Sequence, residues 1–298
     1  MPQIKVIDRI TKKEEIERIY GGWALSLLYE KKWGKIFLPL IAKVPFFSRL
    51  YGFLQSLPFS RKKILPFIRK YHVDVSEFAK KTEAFSSFND FFTRKLKPAS
   101  RPINKEKDRA IIFADGRYIF FQDVEESKTF WIKGESFSLE KLLQDKALAK
   151  RYKKGSMAIA RLCPTDYHRF HFPFDATPNE PRYINGPLYS VNPLALKNNI
   201  RFLCENKRVI TLLQSDLFSE VIYIEIGATY VGSIKQTFSP FEPYKKGEEK
   251  GFFSFGGSCI ILLFQKGKIL FDEDLLLITR EKKEVKCLLG QSLGKASS

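Results

Sequence analysis

Gly251-Phe-Phe-Ser-Phe-Gly-Gly-Ser-Cys-Ile-Ile-Leu-Leu-Phe264 sets two glycines and a serine directly before a run of apolar and β-branched residues. The run from Cys259 to Phe264 predicts a short buried strand. Gly256-Gly257 predicts a turn, because glycine accepts positive φ and lets other backbone approach closely. Ser258 therefore falls where a pliable backbone enters a rigid one, and its hydroxyl can reach the carbonyl of the preceding peptide. A Gly-Gly-Ser triplet is by itself an ordinary turn, so the rest of the chain has to say whether this one reacts.

Outward from that stretch, residues 110–298 alternate in short runs broken by glycine, proline and charge. Ile111-Ile-Phe-Ala, Tyr118-Ile-Phe-Phe, Met157-Ala-Ile-Ala, Arg208-Val-Ile-Thr-Leu-Leu, Val221-Ile-Tyr-Ile-Glu-Ile and Ile269-Leu-Phe read as strands. Many short strands with turns between them predict a barrel or sandwich. Ser138 caps one helix among them, and Asp115-Gly116 reads as a tight turn. The expected class is α+β: a helical, basic region over 1–109 and a β-rich catalytic domain over 110–298.

The first region carries most of the charge. The chain's net charge is +18, and residues 1–109 hold 24 Lys/Arg against 11 Asp/Glu, a net of +13. Residues 31–72 contain ten cations, no acid and nine aromatic residues, among them Trp33, Phe37, Phe46, Phe47 and Phe59. Pro39, Pro45, Pro58 and Pro66 break this stretch into short helices. Its longest apolar run, Ile36 to Ala42, is seven residues, far short of the roughly 20 that span a bilayer. Aromatic and apolar residues beside Lys/Arg describe helices lying in a membrane interface, and a helical cap on the core is the plainer reading. The two are compatible. Nucleic acid is the poorer partner, since phosphate binding leaves the apolar content unexplained. A helix is expected over 13–29, with Ile16, Ile19, Tyr20 and Trp23 on one side.

Four scattered cysteines (Cys163, Cys204, Cys259, Cys287) form no C-x-x-C pair. A reducing compartment is expected, without disulfides or a zinc site. No secretory leader is visible. Two of the three histidines lie in Cys163-Pro-Thr-Asp-Tyr-His-Arg-Phe-His-Phe-Pro173. His168 and His171 point to opposite sides if the segment is extended and converge if it turns. No acid or cysteine sits at ligand spacing, so no metal is expected.

Several strings together resemble the phosphatidylserine decarboxylases. Phe88-Asn-Asp-Phe-Phe-Thr-Arg-Lys-Leu-Lys-Pro-Ala-Ser-Arg-Pro-Ile103 is similar to that family's F-N-D-F-F-x-R-x-L-K-P-x-x-R-P-I signature, and the histidine segment to its P-x-D-Y-H-R-x-H-x-P. Lys133-Gly134 with Ser138-Leu139, Gly186-Pro-Leu-Tyr-Ser-Val-Asn-Pro193, Glu205-Asn-Lys-Arg208 and Ile226-Gly-Ala-Thr-Tyr-Val-Gly-Ser-Ile234 extend the resemblance, which runs from about 68 to 264. In the first signature Asn89 and Asp90 are expected to cap a short helix with Phe91 and Phe92 turned inward. Arg94, Lys95, Lys97 and Arg101 are candidate anion ligands.

The resemblance implies an enzyme that cuts itself between Gly257 and Ser258 and converts Ser258 to a covalent pyruvoyl group. It implies a triad of Asp115, His171 and Ser258, in which the imidazole takes the hydroxyl proton and the carboxylate orients it. The self-derived β chain (1–257) and α chain (258–298) remain associated. The pyruvoyl group then condenses with the amine of phosphatidylserine, accepts electrons as carbon dioxide leaves, and yields phosphatidylethanolamine; this sink parallels pyridoxal phosphate. His168 is implied to assist decarboxylation. Substrate in anionic membranes, a peripheral place on the cytoplasmic face of a cell membrane and an optional homodimer complete the expectation.

One departure stands out: the family usually has L-G-S-T or G-G-S-S, and Cys259 here replaces the hydroxyl residue after the nucleophile, offering a weaker donor. The chain is still expected to process. Two rival readings stay open, a non-processing lipid-binding protein of the same fold and a pyruvoyl enzyme acting on a soluble amino acid.

Overall fold

The computed structural model describes residues 4–17, 22, 27, 29, 45–127, 137–228, 233–256 and 258–297. A ten-stranded sheet runs from Glu14–Ile16 through Lys5–Asp8, Glu284–Cys287, Gly116–Phe121, Ser156–Leu162, Ser258–Phe264, Ser219–Gly227 and Arg208–Ser215 to Thr177–Pro178. Arg182–Ile184 also pairs with Arg208–Ser215. A second sheet orders Ile234–Gln236, Glu249–Phe253 and Arg169–His171, and a third orders Ile269–Phe271, Ser292–Ala296 and Arg109–Ile111. None of the three closes on itself among the described residues. The α+β expectation holds at this level: a strand-rich chain with short helices.

The apolar run after Ser258 is continuous because both faces of its strand are covered. Ile260, Leu262 and Phe264 enter a core shared with Phe113, Phe170 and Phe253. Cys259, Ile261 and Leu263 enter another, with Leu142, Leu143 and Met157. The strand begins at Ser258, one residue before the apolar run, and every residue from Ser258 to Phe264 is buried.

Of the four prolines expected to break the N-terminal stretch, Pro45 and Pro58 open helices, Pro66 lies within the first turn of one, where its missing N–H costs no intrahelical bond, and Pro39 lies outside the described residues. Pro45–Ser56 is α-helical, Pro58–Lys63 is a 3-10 helix opened by its proline, and Ile64–Tyr71 is α-helical with His72 in the left-handed region behind it. Among the described residues no helix is long and apolar enough to cross a membrane. Ile64 and Phe67 join Phe78, Phe85, Phe88, Phe91, Phe92 and Phe255 in a cluster that is almost entirely phenylalanine. Seven of the chain's 28 phenylalanines meet there, in edge-to-face contacts such as Phe85–Phe91 at 5.6 Å.

Two local expectations change. The helix expected over 13–29 does not begin at 13: Glu14–Ile16 is an edge strand antiparallel to Lys5–Asp8. The Asp8 carboxylate accepts the amides of Ile10 and Thr11 at 3.0 and 2.9 Å, and this turn closes a hairpin before any helix can start. Gly22, Leu27 and Tyr29 are helical, whereas Ile19, Tyr20 and Trp23 lie outside the described residues, as do residues 31–44. In Phe88–Phe92 the cap is Ser87, whose hydroxyl accepts the Asp90 amide at 3.1 Å. Asp90 instead accepts the Ser86 amide, and Asn89 accepts the Phe255 amide.

Candidate active site

Ser258 opens its strand between two neighbours, opposite Leu162 on one side and Gly227 on the other. Its side chain is fully buried, and among the described residues its hydroxyl has no hydrogen-bond partner. An unmet buried hydroxyl costs on the order of 1–3 kcal/mol. Gly256 sits at φ 137°, a conformation L side chains rarely adopt, so the turn before the serine requires glycine. Gly257 lies outside the described residues.

The approach to Ser258 is held from the N-terminal region. The Phe255 amide donates to Asn89 Oδ1 at 2.9 Å, and the Phe255 ring packs on Phe92 at 4.9 Å and Phe88 at 5.2 Å. Phe92 in turn lies over the His168 ring at 3.9 Å. Phe253, five residues before Ser258, donates its amide to the His168 carbonyl at 3.0 Å. A short path of contacts thus joins His168 to the glycine turn.

Both histidines are buried. His168 Nδ1 pairs with the Asp166 carbonyl at 3.0 Å, which makes Nδ1 the protonated nitrogen and leaves Nε2 as an acceptor. Burial pulls its pKa down to about 4, against the attraction of Asp166. His171 ends the strand Arg169–His171, with its amide on the Phe113 carbonyl at 2.8 Å and its ring beside Tyr167 at 5.8 Å. Neither ring nitrogen has a hydrogen-bond partner among the described residues. Burial, then the Arg169 charge, pulls His171 down to about 3. Both imidazoles are therefore neutral near pH 7 and present lone pairs.

Asp115 lies two residues beyond the Phe113 carbonyl that takes the His171 amide, but its carboxylate is engaged elsewhere. It accepts Arg101 Nε at 2.9 and 3.0 Å, Arg101 Nη2 at 2.6 Å and the Leu289 amide at 2.9 Å. Burial pushes the Asp115 carboxyl up, and Arg101 and the Leu289 amide pull against it. No hydrogen bond joins Asp115 to His171 in this arrangement.

Four further residues shape the histidine turn. The Arg94 guanidinium is buried, stacks near Phe78 and Phe91 at 5.2 and 5.0 Å, and donates to the carbonyls of Thr165 and Asp166 at 3.0 and 3.2 Å. Arg117 forks onto the Asp166 carboxylate, which also takes the Cys163 amide at 2.7 Å. Glu17, from the N-terminal arm, accepts Arg161 at 3.0 and 2.6 Å. Although burial opposes its charge, Arg161 and Arg117 hold Glu17 down at about 2. Of the expected anion ligands, Arg94 and Arg101 are thus internal, and Lys97 reaches the Ser76 carbonyl at the surface. Asp166 was visible in the sequence as the acid of the histidine string. Nothing local to Glu17 marks its partner 144 residues away.

All four cysteines are free and buried. Among the described residues no group of three or more His, Cys, Asp or Glu is arranged to hold a metal.

A buried serine with no hydrogen-bond partner among the described residues stands behind a glycine turn, one neutral imidazole lies on the strand Arg169–His171 and a second just before it; these are residue types that hydroxyl-nucleophile chemistry employs. The family profile for phosphatidylserine decarboxylase matches residues 88–295. The phosphatidylserine decarboxylase proenzyme of Chlamydia pneumoniae is 50% identical over 296 residues, covering 99% of this chain and 98% of that one. Those of Chlamydia felis and of Chlamydia trachomatis serovar D are 46% and 47% identical, covering 99% and 98% of this chain and 99% and 97% of theirs. The chain belongs to the phosphatidylserine decarboxylase family.

Proposed function

We propose that the chain decarboxylates phosphatidylserine to phosphatidylethanolamine, using a pyruvoyl group that it makes from Ser258. The observation that carries this reading is the buried Ser258 hydroxyl, free of hydrogen bonds among the described residues, behind a glycine held at φ 137°. A buried hydroxyl without a partner among the described residues costs stability, so its place there points to a role other than holding the fold together.

In the processing step, Ser258 Oγ attacks the Gly257 carbonyl carbon and its proton passes to His171. The peptide C–N bond breaks as an ester forms. Loss of the Ser258 Cα proton then expels the Gly257 carboxylate, leaving a dehydroalanine; one water converts this to a ketone and releases ammonia. A neutral His171 has the lone pair that the first transfer needs. Asp115, once turned from Arg101, would stabilise the resulting imidazolium. The ketone supplies the electron sink for loss of carbon dioxide. His168 Nε2, held as an acceptor by the Nδ1 contact with Asp166, is the group we assign to proton handling in that step.

The N-terminal helices fit a peripheral place on an anionic cytoplasmic membrane face. Leu50, Phe53, Phe59 and Leu65 are exposed and share the segment with Arg61, Lys62, Lys63, Arg69 and Lys70; such a surface gains from apolar insertion and from lipid phosphates together. We take the strand-rich region as a sandwich, with the small sheet carrying His171 laid on the face of the large sheet that carries Ser258. The α and β chains stay interleaved, since Ser258–Phe264 pairs on both sides with strands of the other piece.

One observation favours a second reading, a lipid-binding protein that does not process: the Asp115 carboxylate is bound to Arg101 and not to His171. Release of carbon dioxide from phosphatidylserine vesicles, compared with free serine, separates the readings. Lipid-dependent release supports the decarboxylase; binding to vesicles without release supports the alternative.

A further inference from the structure

Lys250 and Glu225 form an ion pair with both side chains at 0% exposure, Nζ to Oε1 2.6 Å. The same Nζ donates to Thr211 Oγ1 at 3.1 Å and Gln236 Oε1 at 3.0 Å. It lies 4.7 Å from the ring centres of Tyr223 and Phe238. Thr211 and Glu225 belong to the ten-stranded sheet, and Gln236 and Lys250 to the small sheet that ends in His171. The ammonium is thus a tie between the two sheets.

Its position on each sheet is informative. On the large sheet Glu225 stands opposite Ile260 and Gly227 opposite Ser258. Glu225 and Ser258 are therefore diagonal neighbours on one face, roughly 7–8 Å apart at Cα. On the small sheet the register passes from Glu249 opposite His171 to Gly251 opposite Phe170, which leaves Lys250 as a bulged residue. A bulge redirects a side chain that regular pleating would send elsewhere. This one sits opposite the end of the histidine strand and sends Lys250 into the core.

We propose that Lys250 and Glu225 are positioning residues for self-cleavage: the pair sets the His171 sheet against the Ser258 sheet so that imidazole and hydroxyl, which share no hydrogen bond in this structure, come within reach of each other for the proton transfer. The inference rests on the Ser258 reading above. Stability alone does not explain the pair, because apolar residues of similar volume serve a core equally well or better. Directional contacts from one ammonium to three strands fix relative placement, which a greasy contact leaves free to slide.

The test compares wild type with Glu225→Leu/Lys250→Met, following cleavage at 257/258 by denaturing gel and fold by thermal melting, with and without hydroxylamine to trap the ester. We expect a melting temperature at or above wild type and ester formation slowed by about tenfold or more, since a misplacement near 1 Å can cost on the order of 100-fold. A folded double variant that cleaves at the wild-type rate overturns the inference alone. An uncut wild-type chain overturns the Ser258 reading and this inference with it. If the double variant does not fold, Glu225→Gln/Lys250→Met decides, because it keeps the carboxylate's shape and leaves no unpaired buried charge: slower cleavage supports the tie, and an unchanged rate overturns it.

Discussion

Arg101 Nη2 lies 2.6 Å from Asp115 Oδ2, and the same guanidinium reaches Glu77 at 2.7 Å. The carboxylate expected to orient His171 is thereby the inner half of an ion-pair chain. Two outcomes separate a structural from a chemical role. Asp115→Asn leaves Arg101 its Glu77 partner, so the chain should fold. If Asp115 turns to His171 during processing, cleavage slows by at least about 100-fold, as expected when a triad carboxylate is lost. A gel time course at an unchanged rate would remove Asp115 from the machinery.

His168→Gln should separate processing from turnover. The residue is tied to the Asp166 carbonyl and to Phe92, and the hydroxyl chemistry is assigned to His171. The variant is expected to yield two fragments on a denaturing gel while carbon dioxide release drops by about 100-fold or more, the scale of a lost proton-transfer group. Normal release from the cleaved variant would show that His168 is only packed.

Acid should destabilise the fold in a defined window. The pKa values of His168 and His171 are depressed to about 4 and about 3 from 6.5, first by burial. Between those limits the unfolded chain binds more protons than the native one, so stability rises with pH and is lost as pH falls below 6.5. Each imidazole should remove about 2 kcal/mol between pH 6.5 and pH 5. Urea midpoints across that range check the sign. A cleavage rate that shows no inflection near 6.5 would agree with a base that stays neutral there.

The exposed apolar residues of the N-terminal helices give a membrane test independent of the chemistry. Phe53→Ser with Phe59→Ser should leave melting unchanged, because both rings are exposed. Sedimentation with phosphatidylserine vesicles should weaken by about 100-fold or more, given about 1.5–3 kcal/mol for each large side chain buried. Equal sedimentation would move the lipid-facing surface elsewhere.

Cys259 departs from the family pattern yet faces away from the chemistry. Strand alternation turns it from Ser258 into the core with Ile261 and Leu263. Cys259→Thr should therefore leave the cleavage rate within about twofold and lower stability by about 1–2 kcal/mol through an added buried hydroxyl. A large acceleration would show that the hydroxyl usual at this position acts directly.

The strand after Ser258 was legible because a run of apolar residues bounded by glycine admits few alternatives. The same was true of the helices opened at Pro45 and Pro58 and of the histidine string, while Pro66 sits within a helix that it was expected to break. Long-range commitments were not legible. Glu14–Ile16 looked helical by spacing, but its neighbour Lys5–Asp8 is fixed by pairing with Glu284–Cys287, far along the chain. Arg101 read as a surface anion ligand because nothing local announces that Asp115 faces it. The Lys250 bulge depends on a register that only the folded sheets define.

The most direct measurement is the intact mass of the purified chain. Self-conversion of Ser258 predicts two species, residues 1–257 and 258–298, the smaller one carrying a ketone where its amine should be and resisting N-terminal sequencing. A single uncut species at 34.6 kDa, under conditions where the chain is folded, would contradict it.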